Sequence, residues 1–140
     1  MQIDNNTLLL LFSMVGMFIF MKFLPRWLAG VPFVPVHELR DAMEGKQDVL
    51  VIDVRTPREY TESMGHIKGS VNIPVDEVKA RADSIKNNLG DFADTPVYVL
   101  CRTTNRSPHA AKWLRQAGLK NVKVVNGGMK KWTDAGFPTA

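Results

Sequence analysis

From Leu8 to Met21 the chain carries no charge, and only Ser13 and Gly16 interrupt its aliphatic and aromatic side chains. A helix built from this stretch is apolar on every face, as suits a segment surrounded by hydrocarbon rather than one with a side turned to water. At 1.5 Å per residue, Thr7 to Leu24 spans about 27 Å, close to the roughly 30 Å core of a bilayer once Lys22 reaches for the surface. Pro25 is expected to end this helix and Trp27 to lie at headgroup depth. A cleaved secretory leader needs a basic start, whereas Met1 to Thr7 offers only Asp4 and the α-amino group. Residues 1–30 are therefore read as an uncleaved transmembrane anchor with its span at about 7–24. Lys22 and Arg26 flank its carboxyl side, which predicts a single-pass protein of a bacterial inner membrane, with the N-terminus outside and the following domain in the cytoplasm.

Val31 to Pro35, VPFVP, holds two prolines and reads as an extended connector belonging to neither neighbour. A second unit then runs over residues 34–138. Val36, Leu39, Ala42 and Met43 recur at helical spacing and Gly45 follows, predicting a helix over 36–44. VLVID at 49–53 is a continuous apolar run, the pattern of a strand buried on both faces. Thr56, Pro57 and Glu59 form a capping box with proline at the first helical position, opening a short helix that carries Tyr60. A short strand-like VNI follows the loop GHIKGS, then a helix from about Val75 to Asn88. PVYVLC at 96–101 is another buried strand. Ser107 is expected to cap a helix with Pro108 first inside it, Ala110, Ala111, Leu114 and Ala117 along one face, and Gly118 as its stop. VKVV at 122–125 predicts a further strand, and Gly127 and Gly128 turn the chain into a last helix around Trp132. Strands alternating with helices imply an α/β domain with an open parallel sheet flanked by helices.

Eighteen Lys and Arg against fourteen Asp and Glu give +4, but no basic run exceeds two residues, so no nucleic-acid footprint is indicated. The 45% apolar and 23% charged composition is that of a folded chain. A single cysteine forms no internal disulfide, lacks the partners of most zinc sites and agrees with a reducing compartment. No metal and no cofactor is expected.

That cysteine, Cys101, stands where a strand meets a helix, the edge at which open α/β sheets build their sites. In C-R-T-T-N-R-S the chain curls from one element to the next, so successive N–H groups can converge, and the helix N-terminus adds partial positive charge. Arg102 and Arg106 are expected beside the sulfur. Together these influences favour the thiolate, a nucleophile suited to covalent catalysis, near guanidinium groups suited to oxyanions. The bland alternative is a buried cysteine serving as a small hydrophobe.

Four stretches, V-I-D-V-R-T-P-R-E-Y at 51–60, G-H-I-K-G-S-V-N-I-P at 65–74, the cysteine loop at 101–107 and N-G-G-M-K-K-W-T-D-A-G-F-P at 126–138, resemble the rhodanese-like sulfurtransferase domain in order and spacing. The resemblance implies that Cys101 takes a sulfane sulfur from a small anionic donor, such as thiosulfate or a persulfide, and passes it to cyanide, a small thiol or a protein thiol. It implies that Arg102, Thr103, Thr104, Asn105 and Arg106 form the binding loop, with Arg106 closing it, while Asp53 and Arg55 serve mainly the structure. Where the family commonly has glycine, three residues after the cysteine, this chain has Thr104 and then Asn105. Glycine tolerates positive φ, so a loop that curls differently is expected. This departure motivates a second reading, a weakly active membrane-tethered module for partner recruitment or sulfur relay. Phosphatases and arsenate reductases of the same fold resemble C-x5-R, whereas here four residues separate Cys101 from Arg106, a cradle better sized for one sulfur atom. His66 is expected to tie down neighbouring backbone, Trp113 and Trp132 to pack, and His37 and His109 to have no role in the chemistry.

Overall fold

The computed structural model describes residues 3–45, 47–87 and 93–140. It opens with a long helix, α1 (Asn5–Ala29). The remainder alternates as β1 (Phe33–Val34), α2 (Val36–Glu44), β2 (Leu50–Asp53), α3 (Pro57–Glu62), β3 (Val71–Asn72), α4 (Val75–Asn87), β4 (Val97–Leu100), α5 (Ser107–Gln116), β5 (Val122–Val125) and α6 (Gly128–Asp134). The strands form one sheet in the order β1-β5-β4-β2-β3, with every neighbouring pair parallel. The expected parallel α/β architecture is thus present.

The side-chain alternation of a strand explains why β4 reads as unbroken apolar sequence. Val97 and Val99 point into a cluster with Ala110, Ala111 and Leu114 of α5 and Val78 of α4. Tyr98 and Leu100 point the opposite way, into a cluster with Leu39 of α2 and Met129 and Trp132 of α6. Both faces of the sheet are covered, so neither face of the central strands needs a polar residue. The indole N–H of Trp132 finds a partner at the carbonyl of Pro138, 2.9 Å away.

Three expectations are corrected. VPFVP is not wholly a connector: Phe33 and Val34 pair with Val124 and Val125 as an edge strand, which their two prolines permit because an edge leaves one side unpaired. The long helix does not stop at Pro25 but continues to Ala29. Ser107 is not a cap: Arg106 holds that position in a helical conformation, and Ser107 is the first helical residue, buried beside Cys101. The side chains of Pro25, Arg26 and Trp27, and the helix end expected at Asn88, lie outside the described residues.

Asn5–Leu24 is long and apolar enough to cross a membrane, with a mean hydropathy of 2.2, and none of it is buried by the rest of the chain. Leu9, Phe12, Met14 and Phe18 are each more than 60% exposed, which in water would be a large unfavourable apolar surface. A membrane span or a signal sequence accounts for such a helix.

Candidate active site

Cys101 follows β4 directly and has the same parity as Val97 and Val99, so its side chain enters the cluster beneath α4 and α5. The thiol is free and only 1% exposed, and Sγ donates to Ser107 Oγ at 3.5 Å. The sulfur is thus covered, as the alternative of a buried cysteine has it.

The loop that follows is fastened from behind. The carbonyl of Cys101 accepts from Met129 N–H at 2.9 Å and that of Arg102 from Lys130 N–H at 3.0 Å, both donors in the first turn of α6. Gly128 makes the approach possible. It sits at φ +53, and a Cβ there would stand 2.6 Å from the Thr103 carbonyl and collide with that of Cys101. A trans peptide plane directs the N–H of one residue opposite to the carbonyl of the residue before it. With carbonyls 101, 102 and 103 all at the α6 side, the N–H groups of Arg102, Thr103 and Thr104 are turned to the other face of the loop. Among the described residues, no main-chain N–H from 102 to 106 donates to a main-chain carbonyl. Successive amides of this kind, beside a helix N-terminus, are ready to hold an anion.

Thr104 carries no left-handed backbone strain. Among the described residues other than glycine only Met64 has positive φ, so neither Thr104 nor Asn105 is in the conformation that favours glycine. Instead Thr104 Oγ1 accepts the Gly127 N–H at 3.0 Å, tying the loop to the turn before α6.

The two arginines are not a matched pair beside the sulfur. Arg102 is exposed, and its guanidinium makes no hydrogen bond or ion pair among the described residues. Arg106 turns to α3, donating Nη1 and Nη2 to the two carboxylate oxygens of Glu59 at 2.7 and 2.9 Å. Glu59 also accepts the Thr56 N–H at 2.9 Å, completing the capping box. The hydrogen bond from Arg106 is the main cause that holds the Glu59 carboxyl down at about 2 against an ordinary 4.5. The Arg106 guanidinium is held up first by that same bond, then by the nearby charges of Glu59, of Cys101 as thiolate and of Asp53. Both partners' shifts agree on a charge-assisted, bidentate contact. Sequence reading recognised Glu59 only as a capping residue. Its link to Arg106 spans 47 residues, and no local pattern signals it.

Asp53, which ends β2 beside β4, and Arg55, two residues beyond it, are both wholly buried. Arg55 uses every guanidinium donor: Nε and Nη2 reach the Asp53 carboxylate, Nη1 the carbonyls of Glu59 and Ser63, and Nη2 that of Gly65. The pair therefore moulds the chain from β2 through α3 to the 63–65 turn, where Met64 is held at φ +61. Such a conformation persists only where its surroundings over-determine it. His66 ties backbone as expected, its Nδ1 donating to the Tyr60 carbonyl at 3.1 Å while its ring stacks on Tyr60. Among the described residues, no three His, Cys, Asp or Glu side chains are grouped as metal ligands would be.

A family profile described as Rhodanese-like domain matches residues 35–135. The chain is 39% identical over 88 residues to the Uncharacterized protein YqhL of Bacillus subtilis (strain 168), covering 63% of this chain and 64% of that one. It is 37% identical over 94 residues to the Adenylyltransferase and sulfurtransferase UBA4 of Candida albicans, covering 66% of this chain but 21% of the relative. It is also 31% identical over 105 residues to the tRNA uridine(34) hydroxylase of Staphylococcus aureus (strain Newman), covering 75% and 32%. The chain thus spans less than two thirds of the length of each of these relatives. Among solved structures, the rhodanese-like domain of the Anabaena Alr3790 protein superposes with a TM-score of 0.64 at 29% identity, covering 76% of each chain. A Rhodopseudomonas palustris protein described as a "Possible Tyrosine Phosphatase" gives 0.69 at 28% identity, covering 79% of this chain and 86% of that one.

Proposed function

The chain belongs to the rhodanese-like domain family, and from that premise we propose that it is a membrane-anchored sulfurtransferase working through a persulfide on Cys101. The Cys101 thiolate attacks the outer sulfur of thiosulfate or of another persulfide. A bond forms between Sγ and that sulfur, the donor's own S–S bond breaks, and sulfite or a thiolate departs with the electron pair. The added sulfur extends the side chain by about 2 Å, toward the free N–H groups of the loop, which stabilise its negative charge. Arg102, exposed and unengaged among the described residues, meets the incoming and departing anion. Arg106 acts from within the loop, its orientation fixed by Glu59, while Thr103, Thr104 and Asn105 supply the rest of the backbone cradle.

The observation that carries this reading is the set of amides turned away from α6 around the chain's one thiol. An inert core cysteine has no use for carbonyls drawn backward onto a neighbouring helix. With no second cysteine to resolve the persulfide, the sulfur leaves to an external acceptor: cyanide, a small thiol or a protein thiol. The second reading, a weakly active module, rests on Thr104 in place of glycine, and Thr104 is free of positive φ.

The test is steady-state release of sulfite from thiosulfate with cyanide or a thiol as acceptor. Turnover in the wild type that disappears in Cys101→Ser supports the proposal. Hydrolysis of an aryl phosphate without sulfite release would instead favour the phosphatase named in one structural relative.

In the same reading residues 1–30 are the anchor, 34–138 the domain, and Lys22 and Arg26 keep the domain in the cytoplasm. Labelling of Cys101 by a membrane-impermeant thiol reagent in intact cells would overturn that orientation.

A further inference from the structure

Because all five strands are parallel, one edge of the sheet collects their starts and the opposite edge their ends. Cys101 and its loop lie at the edge of ends. The anchor arrives at the other. Helix α5 returns from the loop toward the start of β5, so Ser107 touches Cys101 at one end while Arg115 lies eight residues on, about 12 Å along the axis. There Arg115 Nη1 donates to the Gly30 carbonyl at 2.6 Å, just beyond the end of α1. The connector between anchor and domain is not slack. Val31 is buried in the cluster under α4 and α5, and the Pro32 carbonyl accepts the Val124 N–H at 2.9 Å. Gly30, Val31 and Pro32 are thus each fixed to the domain, so no slack segment separates it from the end of α1 at Ala29.

We propose that this fixed connector turns the catalytic edge away from the bilayer, so that the Cys101 persulfide is delivered to a water-soluble thiol and is withheld from thiols at the membrane surface. The inference rests on the sulfur-transfer and anchor readings above. In the step itself the acceptor thiolate attacks the outer sulfur. The bond from that sulfur to Cys101 Sγ breaks, and Cys101 recovers its thiolate as the acceptor becomes a persulfide. Charge and sulfur balance without any other reactant.

Geometry matters here because of concentration. A thiol confined to the same bilayer surface would meet a freely tipping site at an effective concentration on the order of millimolar, and a site that cannot reach it at nearly none. The full chain, reconstituted in phosphatidylcholine vesicles and loaded with thiosulfate, would be offered glutathione in the water or phosphatidylthioethanol in the bilayer. The loss of the persulfide is followed by intact mass. Transfer to the lipid thiol is expected to be at least about tenfold slower than to glutathione at matched effective concentration. Inserting about ten Gly and Ser residues between Gly30 and Val31 frees the domain and is expected to raise the lipid-thiol rate alone. Comparable rates in the wild type overturn the orientation, and so does an insertion that leaves the lipid-thiol rate unchanged. A chain that never gains the persulfide removes the sulfur-transfer reading, one that does not float with vesicles removes the anchor, and either takes this proposal with it.

Discussion

Thr104 replaces a glycine without taking on the backbone strain that glycine would relieve, and its hydroxyl accepts a main-chain N–H of the neighbouring turn. Thr104→Gly is therefore expected to lower stability by about 1 kcal/mol and to leave sulfur transfer no faster. A rise in turnover would show that the loop was strained after all. Gly128 is the reverse case, since a methyl group there meets the carbonyls that position the loop amides. Gly128→Ala should cost at least about 1–3 kcal/mol in urea unfolding and slow persulfide formation; wild-type behaviour would contradict the fastening described above. Glu59 makes a prediction about pH. A carboxyl depressed in the folded state contributes stability above its unfolded value of 4.5 and loses it as the pH falls toward about 2. Glu59→Gln should destabilise the protein near neutrality by roughly 1–3 kcal/mol, with the gap narrowing below pH 4.5 and the two proteins converging only at about pH 2 and below. A gap that stays constant with pH would count against the ion pair with Arg106.

The elements were legible to the extent that their signals are local. The helix over 36–44, the capping box at Thr56 and the strand that leads into Cys101 each rest on neighbouring residues; the first two are where their patterns put them and the strand, Val97–Leu100, lies within its own. Strand β1 was not legible, because Phe33 and Val34 become a strand only through β5, some 90 residues away. The bond between Glu59 and Arg106 escaped for the same reason, and so did the drawing back of carbonyls 101 to 103 onto α6. Cys101, Arg106 and the loop between them stood out through their place between strand and helix, whereas the direction of each guanidinium did not. The resemblance gave Asp53 and Arg55 a mainly structural role, but the reach of Arg55 to Ser63 and Gly65 is tertiary. Removing one partner of such a buried pair typically costs about 3–5 kcal/mol, and Arg55→Met is expected to do so in urea unfolding. A loss below about 1 kcal/mol, the scale of a surface pair, would mean that the pair does not hold α3 and the turn after it.

At the scale of the whole molecule, an apolar helix with no cover from its own chain is joined to a domain whose sheet is closed on both faces. In the proposed function the centre is one sulfur, with loop amides turned from α6, the α6 turn holding the carbonyls, and the Glu59 ion pair setting Arg106. The most direct test is the intact mass of the full chain after exposure to thiosulfate. The account predicts that the wild type gains one sulfur atom, that a small thiol removes it, and that Cys101→Ser gains nothing. A wild-type chain whose mass never changes would contradict the claim that this loop holds a persulfide.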